Sequence, residues 1–268
     1  LVMGGIVFAA DATNEDELRR IHLSRSVSSP ESDNSVEAEL QSFELNPGYT
    51  VQLFADETDG ISNPVCMSWD PAGRLWVLCT LAYPQQEPTD APNDQLLILE
   101  DTNGDGRADK TTVFADGLIK PTGFALGHGG AYIGQGNDLL QLEDSDGDDK
   151  ADSRSVLLTG FGTGDTHQNI NSFTWSPGGE LLFCQGLHAF SRVETPWGIS
   201  RLDEHGSWRL RPLRLELDGY RRTSTGGNPW GIVFANWGEP FVKSNSSGIF
   251  ELLPSLVSTE QTKSFWGG

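Results

Sequence analysis

Four short segments of this sequence carry the same hairpin written around a glycine, and that repeat restricts the fold more than any other feature. They are "NPVCMSWDPAGRLWV" from Asn63, "KPTGFALGHGGAYIG" from Lys120, "NINSFTWSPGGELLF" from Asn169 and "NPWGIVFANWGEPFV" from Asn228. Each opens ten residues before its turn glycine: Gly73, Gly130, Gly179 or Gly238. An apolar residue recurs at the fifth place (Met67, Phe124, Phe173, Ile232) and another at the seventh (Trp69, Leu126, Trp175, Phe234). Alternation, then a Pro/Gly turn, then an apolar run reads as a β-hairpin. The glycines are 57, 49 and 59 residues apart, room for four short strands and one long loop per repeat. Periods of that length suggest propeller blades, so the expected fold is all-β: a β-propeller of four-stranded blades. Four signatures are few for a closed ring of this blade length. The expectation is about four blades of an incomplete, open ring, part of a propeller with six or more. Tyr49 to Phe54 reads as a strand without its own hairpin, of the kind that completes the last blade of a closed ring.

Between the hairpins, an aspartate pattern occurs twice. In "LILEDTNGDGRADKTTVF", Asp101, Asn103, Asp105 and Asp109 fall at positions 1, 3, 5 and 9 of a loop, with Gly106 at position 6. Calcium takes six to eight oxygens, and alternate residues of a tight turn aim their side chains at one point. Arg107, at position 7, would offer its backbone carbonyl. A helical calcium hand wants Glu at position 12, where this chain has Thr112. The flanks read as strands, so such an ion would pin a loop between strands. "LEDSDGDDKADSRSVL" repeats the pattern 43 residues on, with Asp144, Asp146, Asp148 and Asp152, and Lys150 at position 7. Its sixth residue is Asp149, which can enter the left-handed region that Gly106 supplies in the first loop. The glycine makes the first loop the better match. A solvated Asp/Gly turn is the plain alternative for both.

The polar cluster in "GTGDTHQNIN" gathers Asp165, His167, Gln168, Asn169 and Asn171 just before an expected innermost strand, and so at the mouth of the propeller channel. A histidine beside a carboxylate can act as a general base, because the carboxylate supports the imidazolium. Against this stands a channel-lining histidine that only satisfies loop backbone. In "GLHAFSRVETPWG", His188, Arg192 and Glu194 sit on a long loop, with an Arg192–Glu194 ion pair expected to brace it. His128 lies in a turn and reads as solvated. Trp69, Trp76, Trp175 and Trp208 lie on expected strands and read as blade core.

The net charge of −20 argues against nucleic acid and anionic membrane surfaces as partners, although metal would neutralise part of it. The apolar start "LVMGGIVFAADA" ends in an A-x-A pattern, so residues 1–12 read as a clipped signal peptide, too short to span a membrane. Residues 13–41 read as a polar linker with at most a short helix near Glu15 to Leu23, and residues 42–268 as the partial propeller domain. Cys66, Cys79 and Cys184 allow one disulfide at most. Cys66 and Cys79 are not opposite each other in the first hairpin, so free, buried thiols are expected. An exported, periplasmic or cell-envelope protein is the consistent picture, since calcium is millimolar outside the cytosol.

Taken together, the motifs "SNPVCMSWDPAGRLWVLCTLAYP", "NDQLLILEDTNGDGRADKTTVFADGL", "PTGFALGHGGAYIGQGNDLLQLEDSDGDDKAD", "FGTGDTHQNINSFTWSPGGELLFCQGLHAFSRVETPWG" and "NPWGIVFANWGEPFV" give a family resemblance over about residues 43 to 250. This stretch resembles the N-terminal propeller of the planctomycete-type membrane-bound dehydrogenases, which are similar to soluble quinoprotein glucose/sorbosone dehydrogenases. The resemblance implies a sugar or alcohol substrate, His167 taking a proton as hydride leaves, and Asp165 supporting it. It also implies pyrroloquinoline quinone held near Asn228 and Asn171. Gly227 stands where the resemblance expects the quinone's arginine, and His167 is one residue further from its proline than in those enzymes. The chain has no CxxCH, so no haem is inferred for it. Three functions stay open: a calcium-stabilised dehydrogenase-like domain, a non-catalytic propeller that binds glycans or a protein, and a calcium-dependent lactonase-type hydrolase with metal in the channel.

Overall fold

Each glycine-centred repeat folds as the inner hairpin of an antiparallel sheet. The computed structural model describes residues 35–84, 91–221, 228–244 and 250–252. Blade one is the meander β1 (Pro64–Trp69), β2 (Leu75–Cys79), β3 (Asp94–Glu100) and β4 (Lys110–Leu118). Blade two repeats it as β5 (Pro121–Gly127), β6 (Gly130–Gln135), β7 (Asp138–Glu143) and β8 (Ser153–Thr159). Blade three orders β9 (Asn171–Trp175), β10 (Leu181–Gln185), β13 (Gly206–Arg211) and β14 (Glu216–Arg221). A separate hairpin, β11 (Phe190–Thr195) with β12 (Gly198–Asp203), is inserted between β10 and β13. Blade four has three strands among the described residues: β15 (Pro229–Phe234), β16 (Pro240–Ser244) and β17 (Phe250–Leu252). The inner strands β1, β5, β9 and β15 lie side by side in sequence order. Among the described residues the fold is therefore the expected β-propeller arrangement, four blades with no closed sheet.

Apolar alternation on successive strands buries residues between blades. Trp76, Leu96, Ile98 and Phe114 of blade one meet Phe124, Ile133 and Leu140 of blade two. Tyr132, Leu139 and Leu158 of blade two meet Phe183, Trp208 and Leu210 of blade three. Leu182, Cys184 and Tyr220 of blade three meet Ile232 and Val242 of blade four. Burying aliphatic and aromatic side chains of this size contributes about 1.5–3 kcal/mol each, which makes these interfaces the main stabilising layers. Gly127 shows how close the blades come. A Cβ there would lie 2.7 Å from the Trp175 ring, and the Trp175 indole donates to Leu126 O at 2.7 Å. Cys66, Cys79 and Cys184 are free thiols, and burial pushes the Cys66 thiol up.

Three expectations are corrected. Tyr49 to Phe54 forms no strand: no described strand pairs with it. It is nevertheless docked, because Phe54 O accepts from Ala108 N at 2.8 Å and Phe54 packs on the Leu75–Leu99 face of blade one. Phe114 O of β4 accepts from Ala151 N at the same 2.8 Å. The Phe54 segment thus stands to blade one as the outer strand of blade one stands to blade two. Trp69 is not core but 56% exposed. Cys66 on alternate positions of β1 faces the interface with blade two, which turns Val65, Met67 and Trp69 to the opposite side. There Trp69 meets Phe54 edge to face, at 5.0 Å between ring centroids. Within the expected linker, α1 (Val36–Ser42) is helical, capped by Ser35, whose Oγ accepts from Ala38 N. The helix expected near Glu15 to Leu23, the signal segment 1–12 and Gly227 lie outside the described residues.

Candidate functional site

Antiparallel meanders put the two polar features at opposite ends of the blades. Connections from β3 to β4 and from β7 to β8, which carry the aspartate loops, lie at the same end as the β1–β2 turn. Connections into the inner strands, including Asp165 and His167 before β9, lie at the other.

The two aspartate loops are built alike. Asp101 accepts from Gly104 N at 2.7 Å and Gly106 N at 2.8 Å, and Asp144 accepts from Gly147 N at 2.7 Å and Asp149 N at 3.0 Å. Asp105 accepts from Arg107 N, and Asp148 from Lys150 N. Asn103 accepts from Asp105 N and Asp146 from Asp148 N. Position six is left-handed in both, with φ of 87° at Gly106 and 67° at Asp149. Backbone N–H groups, Gly106 foremost, hold the Asp101 carboxyl below its ordinary value, since each favours the charged form. The Ser145 hydroxyl and N–H do the same for Asp152.

The loops differ at position nine. Thr102 Oγ1 reaches both oxygens of Asp109, at 2.8 and 2.9 Å, whereas Ser145 holds only Oδ2 of Asp152. Asp144, Asp146 and Asp152 each bring a carboxylate oxygen within 4.8 Å of the others. Among the described residues this is the one group of three such side chains that gathers. The sequence favours the first loop for its glycine; the structure gathers acidic oxygens in the second. Asn103, an amide, replaces one carboxylate in the first loop, and Thr102 occupies another. The second loop is also fastened to blade one, by Arg74 Nη1 on Asp149 Oδ1 at 2.7 Å and by Ala151 N on Phe114 O.

At the other end, Asp165 caps the short turn Thr166–Gln168. Its Oδ1 accepts from His167 N at 3.0 Å and lies 3.1 Å from His167 Nδ1. The imidazole is 57% exposed. Tyr83, from the loop after β2, sets its ring edge-on to His167 at 5.3 Å. Burial, with the Asp165 charge beside it, raises the Tyr83 phenol. The dyad is positioned by "GFGTG": Gly160, Gly162 and Gly164 lie flat on the backbone of β11. Cβ atoms there would fall 2.2, 2.3 and 2.1 Å from Arg192 O, Phe190 N and His188 O. That alternating glycine run is the signal in the sequence for the loop's placement.

Asn171 and Asn228 are turned inward. Asn171 is 1% exposed; its amide donates to Asn169 O and its oxygen accepts from Ser172 Oγ. Asn228 Oδ1 accepts from Leu187 N at 2.8 Å. Asn169 Oδ1, buried nearby, has no hydrogen-bond partner among the described residues. Arg192 pairs with Asp203 at 2.6 Å instead of the expected Glu194, because β12 brings Asp203 opposite Phe190, diagonal to Arg192. His128 is exposed, as expected of a turn, but its Nδ1 lies 2.8 Å from the Tyr132 hydroxyl. Gln185 ties the inserted hairpin to blade three. Its amide donates to Ala189 O, Leu202 O and Glu204 O, and its oxygen accepts from Trp208 Nε1 and Ser191 Oγ.

A family model described as "Domain of unknown function (DUF7133)" matches residues 35–264. No curated protein matches the chain. Among solved structures, the chain is similar to a luciferin-regenerating enzyme at 14% identity and a TM-score of 0.44, covering 69% of this chain and 56% of that one. A streptogramin B lyase aligns at 13% identity and 0.41, covering 75% and 67%. A Trichoderma reesei protein of Carbohydrate-Active Enzymes Family AA12 aligns at 16% and 0.36, covering 78% and 70%. The chain therefore spans little more than half the length of the luciferin-regenerating enzyme. Among the described residues no helix is long and apolar enough to cross a membrane.

Proposed function

The chain belongs to the family described as a domain of unknown function (DUF7133), and from its geometry we propose a calcium-binding β-propeller domain of an exported protein. The observation that carries the reading is the convergence of Asp144, Asp146 and Asp152 on one point of a backbone-ordered loop. Hard carboxylate oxygens without nitrogen or sulfur suit calcium. The Lys150 carbonyl and Asp148 would complete the set, and the first loop would hold a second, weaker ion through Asp101, Asn103, Asp105, Asp109 and the Arg107 carbonyl. Residues 1–12 as signal and 13–41 as linker belong to the same reading. Isothermal titration of the chelator-treated chain should show saturable calcium binding that Asp152→Asn weakens at least tenfold. Flat titrations into the millimolar range would leave the loops as ordinary turns.

A second reading is favoured by the Asp165–His167 contact: a dehydrogenase-like domain acting on a sugar or related alcohol, as the resemblance to membrane-bound dehydrogenases implies. With Nδ1 held by Asp165, Nε2 of a neutral His167 can accept a proton from a substrate hydroxyl. The residues given to pyrroloquinoline quinone fit it poorly: Asn171 uses its amide and oxygen on Asn169 O and Ser172 Oγ, and Asn228 uses its Oδ1 on Leu187 N. No hydride step is therefore derived through it. Dye-coupled oxidation of a sugar and alcohol panel, with and without added quinone, tests this reading. A lactonase-type reaction would need its ion near the dyad, and the aspartate loops lie at the opposite end.

A further inference from the structure

The tip of the inserted β11–β12 hairpin presents a largely exposed indole. Trp197 is 71% exposed, yet it is held firmly. Pro196 precedes it, Thr195 Oγ1 accepts from Trp197 N at 3.2 Å and donates to Gly198 O at 2.9 Å, and the indole N–H donates to Arg214 O at 2.9 Å. A rigid, solvent-facing aromatic ring loses little entropy when a ligand lies on it. The ring overlooks a cavity of about 650 Å³ between the hairpin and the start of β14, lined also by Ile199, Arg214, Glu216 and Asp218. That volume is within the range of small-ligand sites.

The walls indicate the ligand class. The face of an indole carries negative quadrupole charge and attracts weakly positive C–H groups, which a sugar ring offers along one side. Around the ring stand both signs of charge. Glu216 and Asp218 are partly neutralised by Arg211 at 2.9 Å and Arg209 at 2.8 Å, while Arg214 has no ion-pair partner among the described residues. An anionic ligand would meet two carboxylates, and a cationic one would meet Arg214. A neutral ring of hydroxyls can accept from the guanidinium and donate to both carboxylates.

We propose that Trp197 and the cavity beside it form a binding site for a neutral glycan chain. The site lies on elements separate from Asp165 and His167, and it stands whether or not that dyad is catalytic. The test is isothermal titration of the 268-residue chain with maltohexaose, cellohexaose and xylohexaose, with hexagalacturonate as the charged comparison. At least one neutral hexaose should bind with a Kd of about 0.1–1 mM, typical of a shallow site. Trp197→Ala should weaken that binding at least tenfold, Trp197→Phe less, and Trp237→Ala, on the exposed β15–β16 turn, not at all. Silence of all three neutral sugars with a folded chain would overturn the proposal, as would binding of hexagalacturonate alone or equal binding by Trp197→Ala. Self-association that depends on Trp197, without sugar binding, would assign the patch to a second copy instead and also overturn it.

Discussion

Arg74 in the inner turn of blade one reaches Asp149, at the sixth position of the blade-two aspartate loop, with 2.7 Å between Nη1 and Oδ1. The same guanidinium holds Asp70 at 2.8 Å through Nε, and hydrogen bonding to Asp149 raises the Arg74 pKa against the opposing effect of burial. Arg74→Ala should therefore destabilise the chain by about 1–2 kcal/mol, more than an exposed ion pair would. A double-mutant cycle with Asp149→Asn, read by urea melts, should give a coupling of about 1 kcal/mol. Additive effects would mean the two blades do not communicate through this pair.

Acid should expose Asp70. Burial alone would raise its carboxyl, but the Trp76 indole N–H, Arg74 N and the Arg74 guanidinium pull it below its ordinary 3.8. A depressed folded-state pKa contributes stability above the unfolded value, lost as pH falls through the folded one. Melting temperature should thus fall below about pH 4, and Asp70→Asn should flatten that fall. At neutral pH the variant should cost about 2 kcal/mol, since it removes charge-assisted hydrogen bonds. An unchanged acid limb in the variant would assign the loss to other carboxylates.

Calcium should raise the melting temperature, because an ion bound only by the folded chain stabilises it by mass action. Asp152→Asn should remove more of that increment than Asp109→Asn, since Asp109 is already committed to Thr102. Differential scanning with and without chelator decides the order. The reverse ranking would return the stronger site to the first loop.

His167→Ala should leave stability within about 0.5 kcal/mol, as for other exposed substitutions. Any turnover of a sugar or alcohol should fall by roughly two to four powers of ten if the imidazole is the base. Equal loss of folding and turnover would mark His167 as part of the loop scaffold.

Blades one and four each leave apolar side chains uncovered: Val65, Met67 and Trp69 on one, Trp230 and Val233 on the other. Uncovered faces of this kind promote association. Light scattering of the 268-residue chain should report oligomers, reduced in a Met67→Ser/Trp69→Ser variant. A clean monomer of the parent sequence would show that these faces do not associate.

What the sequence revealed was local. The four hairpins were legible because a Pro/Gly turn at fixed distance from two apolar residues is a short-range code, and both aspartate loops were legible for the same reason. Three features depend on contacts beyond a single turn and carry no such signal. Arg74 and Asp149 meet across 75 positions. Arg192 takes Asp203 because an inserted hairpin, read from sequence as a loop, sets the register. Trp69 has the pattern of a core residue, yet the contact with Phe54 leaves it 56% exposed. Glycine content and carboxyl convergence favour different loops, because Thr102 holds both oxygens of Asp109 while Ser145 holds one oxygen of Asp152.

The paired bonds Ala108 N to Phe54 O and Ala151 N to Phe114 O bear on how such a chain is made. Each aspartate loop needs a finished stretch upstream to close against, and in both cases that stretch has already left the ribosome. Synthesis runs in the same direction as this dependence. The Phe54 segment can serve as the template on which blade one sets, and the outer strand of blade one then serves blade two. These two closures can thus form in chain order, while the apolar face of each blade is covered only when the next blade emerges.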